Sequence, residues 1–389
     1  MSPRARIAMV CEGDARHPDR AFSGIPNSIL IELGRLGHEI ETIDCELYGW
    51  RRWLMAARLW APNGKRWRTR FRLSPPAVRA RSALAARGFA SIRGRTDLVL
   101  QFGATFEPPG AGHPPYALYC DWNMALAIQE TATGQSPALH LSASEAERIN
   151  QRERAVYRGA AAIFTMSERL RHAFIRDYDI EPSRVLAVHA GPNIDPSQIP
   201  PRQGARPEGR PPTILFVGRD FRRKGGETLL AAFRLVRREL PSARLVIIGP
   251  EGLPPEDGVI QLGFLRRGVP DEWQKLVSAY QEADVFCLPT RYEPFGIVVV
   301  EAMFFGLPCV ASDIWAIPEM ISEGVTGFTV PPEDAEGFAR RLVEVLRDPA
   351  LAARMGEAGR RRAAEQFTWT AAVAKMHQRI EAIVAGGTP

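Results

Sequence analysis

Short apolar runs alternate with amphipathic stretches along most of the chain. Residues 4–11 (RARIAMVC) read as a strand, followed by a Gly/Asp/Pro loop. From Gly24 onward Ile25, Ile29, Leu33 and Leu36 recur at three- and four-residue spacing, the stripe of one helix face, and Gly37 closes it. Residues 38–44 form the next strand. Strand, glycine loop, helix and strand make a βαβ unit, whose right-handed crossover implies a parallel sheet. The alternation continues with strands at 96–103, 115–121, 162–167 and 184–190 and helices at 144–160 and 168–179. Residues 191–212 hold seven prolines and three glycines and cannot continue a sheet, so they read as a linker. Beyond them βα alternation restarts: strands at 213–218, 244–249, 259–265 and 284–289, helices at 227–240 and 271–283, then 288–306, two further short strands and three terminal helical segments. The expected organisation is a first α/β domain over 1–200, a linker at 201–212, a second α/β domain over 213–367, and a last helix at about 368–389 that crosses back to the first. Two doubly wound halves of this kind place a cleft between two sets of strand carboxyl ends.

The stretch 288–306, LPTRYEPFGIVVVEAMFFG, is the strongest candidate for chemistry. A strand ends at Pro289, a polar loop follows, and a helix begins near Ile297. Such a helix start attracts phosphate through its free N–H groups. Glu293 precedes the helix and Glu301 lies inside it, and eight residues at 100° each return Glu301 to within about 80° of the starting direction. Both carboxylates can then face one side, either as a capping Glu with a buried ion pair or as a pair in a binding site. FVGRDFRRKGGE (216–227) occupies the first βα junction of the second half. Arg219 and Lys224 there would form an anion site beside a helix N-terminus, and Gly225 and Gly226 leave room for close backbone approach. Asp121 sits just past the end of its strand, where ligands of open α/β sheets collect. Asp177 and Asp179 make a D-x-D at a helix end before a turn, which reads as surface structure.

Charge changes this picture at one place. The chain carries 50 Lys and Arg against 44 Asp and Glu, a net charge of +6. No acidic residue falls between Glu46 and Asp97, while thirteen basic ones do; without those thirteen, 37 basic residues face 44 acidic ones, about −7. Trp50, Trp53, Leu54, Ala57 and Trp60 share one arc of a helical wheel within this segment, and KRWRTRFR follows it. It is either a solvated basic helix whose Trp face packs on the core, or a surface for anionic lipid headgroups or an anionic acceptor. The acidic remainder and the lack of any nucleic-acid motif argue against nucleic acid. No apolar run approaches the length of a transmembrane helix, and the N-terminal apolar segment is too short for a signal peptide. Five widely spaced cysteines without metal-ligand spacing suggest buried free thiols in a reducing cytoplasm.

Taken together, GRDFRRKG (218–225), residues 283–313 and IPEMISEGVTGFTVPP (317–332) resemble the donor-binding half of glycosyltransferase family 4. These are retaining enzymes of the GT-B fold with an E-x7-E signature, matched here by Glu293 and Glu301. The resemblance is strong over about 213–332 and weaker but consistent over the first half. It implies that Arg219 and Lys224 bind the diphosphate of a nucleotide-sugar donor and that Glu301 binds its ribose. Glu293 would hold a donor sugar hydroxyl, and the backbone of Phe295, Gly296, Ile297 and Val298 would meet the sugar and distal phosphate. Gly24 would approach the diphosphate, and Phe264 would lie in the loop facing the base. It also implies no metal and no cofactor, and retention by front-face attack, with the leaving phosphate taking the acceptor proton.

Two departures from the family pattern stand out. Trp315–Ala316 replaces the usual Gly-Gly before Ile-Pro-Glu, which narrows the loop facing the donor. Cys120 and Asp121 stand where many members place a histidine, so Asp121 takes over a catalytic, sugar-contacting role as a conjecture. The expectation is a retaining glycosyltransferase acting on a carbohydrate or lipid-linked acceptor, cytoplasmic and peripheral on the inner face of the membrane. The alternatives are a GT-B phosphorylase or nucleotide-sugar epimerase, or a non-catalytic module binding nucleotide sugar or membrane.

Overall fold

Buried parallel strands dominate the architecture. The structure, a computed structural model, describes residues 5–17, 21, 24–92, 94–108, 112–200, 202 and 207–386. Of the expected linker, residues 201 and 203–206 lie outside this set, as do Arg93 of the basic segment and residues 387–389 of the last helix. The chain divides into two units, residues 1–190 with 369–389, and residues 191–368. Residues 191–200, expected in the first domain, therefore group with the second.

The first unit runs β1 (Arg6–Cys11), α1 (Ile25–Arg35), β2 (Glu39–Asp44), α2 (Gly49–Arg58), α3 (Gly64–Leu73), α4 (Pro75–Ala90), β3 (Leu98–Phe102), β4 (Tyr116–Cys120), α5 (Met124–Gln129), α6 (Ala143–Gly159), β5 (Ala162–Thr165), α7 (Glu168–Tyr178) and β6 (Val185–Ala187). Its strands pair in parallel in the order β2-β1-β3-β4-β5-β6. Every residue of β3, β4 and β5 is buried, the pattern of a sheet covered on both faces. α6 starts with a capping box, Ser142 and Glu145 each satisfying the other's backbone N–H. α5 was not anticipated; Asn123 caps it by accepting from the Leu126 N–H at 2.8 Å.

The second unit runs β7 (Thr213–Val217), α8 (Gly226–Glu239), β8 (Arg244–Ile248), β9 (Val259–Gly263), α9 (Pro270–Glu282), β10 (Val285–Leu288), α10 (Ile297–Phe304), β11 (Cys309–Ser312), α11 (Ile317–Met320), β12 (Gly327–Val330), α12 (Ala335–Arg347) and α13 (Pro349–Gln366). All pairings are parallel, in the order β12-β11-β10-β7-β8-β9. Counted from β7 this is the 3-2-1-4-5-6 order of a dinucleotide-binding sheet, and strand order reverses between β7 and β10. α14 (Trp369–Val384) belongs to the first unit. There Thr370 donates to Glu32 of α1 at 3.0 Å, and His377 bonds His38 at 2.8 Å. All five cysteines are free and buried.

The arc of Trp50, Trp53, Leu54 and Trp60 does not pack on a core. These four side chains are 70%, 76%, 63% and 65% exposed, and no residue of α2 is buried.

Candidate functional site

Open α/β sheets bind ligands outside the strand carboxyl ends where the strand order reverses, here at the loops after β7 and β10. These loops touch at the backbone. Gly225 caps α8 with φ +75°, and a Cβ there would lie 1.7 Å from the Pro289 carbonyl oxygen, so only glycine fits. Arg291 N donates to the Arg223 carbonyl at 2.9 Å and ties the loops together.

Side chains converge across this junction. Lys224 forms a buried ion pair with Glu293, donating to its Oε2. Arg223 donates to the Tyr292 carbonyl at 2.6 Å and lies 3.6 Å from Glu293. Its sequence neighbours made it indistinguishable from a solvated arginine; its packing does not. Burial pulls the Lys224 ammonium below its usual range, and the Glu293 carboxylate opposes that. Arg219 stacks its guanidinium over Phe264, 5.1 Å from the ring centroid.

Gly296 caps α10 in a left-handed conformation, φ 99°, and no acidic residue occupies the first turn to offset the positive helix end. Phe295 is buried, while Ile297 and Val298 are half-buried on that turn. One turn further on, Glu301 is 1% exposed. Arg267 Nη2 donates to its two oxygens at 2.8 and 3.0 Å, and Asn193 N donates at 3.3 Å. Burial raises the Glu301 carboxyl, with Arg267, the Asn193 bond and Lys224 acting the other way. Lys224 thus feels both carboxylates, Glu293 in contact and Glu301 across the site.

Arg267 escaped the sequence reading because 34 residues separate it from Glu301. The available signal was indirect: a carboxylate in an apolar helix demands a cation, and Arg266–Arg267 lie in the loop just past the β9 carboxyl end. Trp315 adopts φ +52°, rare for a bulky residue, and packs edge-on against Tyr292 at 4.9 Å. The residue beside Glu293 therefore contacts the Trp315 ring.

Gly24 and Asp121 belong to the first unit. Gly24 caps α1 with φ 84°. Asp121 follows β4, half-buried, and burial pushes its carboxyl up to about 6, with Arg72 opposing. In the same unit strand order reverses between β1 and β3, and Glu12 after β1 accepts from Thr105 after β3 and pairs with the buried Arg81 at 2.9 Å.

Residues 200–362 match the family model for glycosyl transferases group 1. A glycogen synthase of Mycobacterium tuberculosis is 30% identical over 266 residues, 66% of this chain and 63% of that synthase, so the chain spans less than two thirds of its length. Sucrose-phosphate synthase of Thermosynechococcus elongatus superposes with a TM-score of 0.71 over 99% of this chain and 100% of its own, at 20% identity. HepE of Anabaena, solved with UDP and glucose, superposes with a TM-score of 0.60 over 96% of this chain and 99% of its own, at 14% identity. The chain has the GT-B fold, and its residues 200–362 match the model of the glycosyl transferases group 1 family.

Proposed function

We propose that the chain is a retaining glycosyltransferase of family 4 that moves a sugar from a nucleotide-sugar donor to a carbohydrate or lipid-linked acceptor. One observation carries this reading: the buried Lys224–Glu293 pair lies beside the N-terminus of α10, where the loops after β7 and β10 meet at the reversal of strand order. In the proposed reaction the bond between the sugar C1 and the donor phosphate oxygen breaks, and a bond from the acceptor oxygen to C1 forms on the same face. The acceptor proton passes to the departing phosphate, and a nucleoside diphosphate leaves.

The residues divide the work. Arg219 and Lys224 neutralise charge growing on the diphosphate, the task a metal ion performs elsewhere, so no metal is required. The backbone N–H groups at Gly296, Ile297 and Val298 meet the distal phosphate and sugar. Glu301 binds the ribose hydroxyls and Glu293 a sugar hydroxyl. Phe264 faces the base. Both carboxylates already hold cations, so a donor must enter by exchange: Lys224 turns from Glu293 towards phosphate, and Arg267 yields Glu301 to the ribose. Gly24 and Asp121 carry their roles as proposals, Gly24 from its place at the start of α1 and Asp121 from its place just past β4.

We further infer that residues 50–95 meet an anionic partner and that the protein works in the cytoplasm, peripheral on the inner face of the membrane. Among the described residues no helix is long and apolar enough to cross it.

A thermal-shift screen over UDP, GDP, ADP and their sugars, with chelator present, tests the reading. A nucleotide at a hundred times its Kd should stabilise the fold by about 2.7 kcal/mol. If no nucleotide raises the melting temperature, or stabilisation needs added metal, the reading fails.

A further inference from the structure

Amphipathic surface helices normally turn the apolar stripe inward. α2 does not. Of the eleven large hydrophobic side chains exposed among the described residues, five fall within thirteen positions: Tyr48, Trp50, Trp53, Leu54 and Trp60. Patches of this kind mark interaction sites.

Behind α2 lies a groove of about 430 Å3 between it and α4. That volume falls within the roughly 300–1,000 Å3 of small-molecule sites. Leu54, Ala83 and Leu84 form part of its apolar lining, and Arg51, Arg58 and Arg87, all exposed, also line it. Other cations of this segment are already engaged: Arg66 and Arg70 lie 3.6 Å from Glu145, and Arg81 pairs with Glu12. Among the described residues no carboxylate pairs with Arg51, Arg58 or Arg87, and none can come from the segment itself, which has no acidic residue between Glu46 and Asp97. An apolar slot with three uncompensated guanidinium groups is complementary to a molecule with a hydrocarbon chain and an anionic head. The neighbouring tryptophans suit the headgroup layer of a bilayer, where their amphipathic rings settle. Nucleic acid would use the charge but leave the slot empty.

We propose that α2 is a membrane-docking element: Trp50, Trp53 and Trp60 enter the headgroup layer of an anionic bilayer. The groove between α2 and α4 takes one acyl chain of an anionic lipid, whose phosphate pairs with Arg51, Arg58 and Arg87. This deepens the anionic-surface part of the proposed function and requires nothing of the donor chemistry.

The test is co-sedimentation of the full chain with vesicles of phosphatidylglycerol and phosphatidylcholine in equal parts, against vesicles of phosphatidylcholine alone. Binding to the anionic vesicles should be at least tenfold tighter at ~50 mM salt and largely lost at ~500 mM, as screening shortens the reach of exposed charges. Ala83→Trp fills the groove from an exposed helix position. It should weaken anionic-vesicle binding about tenfold, a loss of about 1.4 kcal/mol, with unchanged thermal unfolding. Equal binding to both vesicle types, no sedimentation at low salt, or full displacement by a water-soluble glycerophosphate headgroup overturns the docking element. Unchanged vesicle affinity of Ala83→Trp overturns the acyl-chain site. Nucleotide-induced stabilisation, measured on the same samples, keeps a failure here distinct from a failure of the donor site.

Discussion

One terminal nitrogen of Arg267 holds both carboxylate oxygens of Glu301, at 2.8 and 3.0 Å. The carboxylate assigned to the ribose is therefore engaged before any donor arrives, and the cation comes from the loop that also presents Phe264. Glu301 is almost wholly buried and Arg267 about a third exposed, 2% against 35%, so the pair is half latch and half core.

Arg267→Ala should destabilise the fold in a pH-dependent way. Burial raises the Glu301 carboxyl above its ordinary 4.5, and Arg267 is the foremost opposing influence. A raised carboxyl favours folding below about pH 4.5, and that contribution is lost as pH rises through the folded-state value. Without Arg267 that value climbs further. Breaking a fully buried pair costs about 3–5 kcal/mol; the solvent access of Arg267 reduces the expectation to about 1–3 kcal/mol near pH 8. Urea unfolding across roughly pH 5–8 should show the variant losing stability more steeply than the parent. Parallel curves would mean that the pair holds nothing.

Lys224 should give nucleotide binding its own pH dependence. Burial lowers its affinity for a proton below the usual 10.5. A bound diphosphate favours the ammonium, so affinity should fall as pH rises through the lowered value. Lys224→Arg, which stays charged, should flatten that dependence. Lys224→Ala should weaken nucleoside diphosphate binding by about 1.5–3 kcal/mol, the worth of a charged hydrogen bond. Calorimetry at several pH values checks all three, and a flat profile for the parent contradicts the assignment.

Much of this site was legible in the sequence, and its limits are physical. Local periodicity identified β7, β10, α8 and α10 and put the glycine loops at their ends, because a βα junction is built from contiguous residues. The reversal between β7 and β10 followed only once pairing was known. Glu293 and Glu301 were recognisable from their spacing, but their partners were not equally so. Lys224 stood out beside two glycines; Arg267 sits in a loop with no periodic signal and meets Glu301 only through the β9–α9 turn. The arc of Trp50, Trp53 and Leu54 is legible in the sequence as one face of α2, yet whether it faces core or solvent depends on the packing of α4 and β2, which no local pattern encodes.

Gly225→Ala should be among the most damaging single-methyl additions in the chain. Its φ of +75° disfavours any side chain, and the new Cβ would sit 1.7 Å from the Pro289 carbonyl. The left-handed conformation alone costs about 1–2 kcal/mol, and parting the loops adds to it. A loss of more than about 3 kcal/mol in urea unfolding is expected, together with loss of nucleotide binding. A variant within experimental error of the parent would show that the two loops are not in contact.

Trp315→Gly exchanges a strained conformation for a cavity. Relief at φ +52° returns about 1–2 kcal/mol, against about 3–5 kcal/mol for losing a buried aromatic ring. A net loss of about 2–3 kcal/mol is expected, with a wider range of donor sugars accepted. A donor competition profile identical to that of the parent would remove Trp315 from the sugar pocket.

The central claim, a donor clamp in which Glu293 holds the sugar, is tested most directly by transfer kinetics of Glu293→Gln. Alanine is the poorer choice, because it strands the buried Lys224 charge. Glutamine keeps an acceptor oxygen and lets folding be checked by thermal unfolding. Glu293→Gln should cut turnover by about 100- to 1,000-fold, the scale for removing one preorganised polar contact at a reacting centre, while nucleoside diphosphate affinity is retained and chelator changes nothing. Turnover near that of the parent, with the fold intact, would contradict the account.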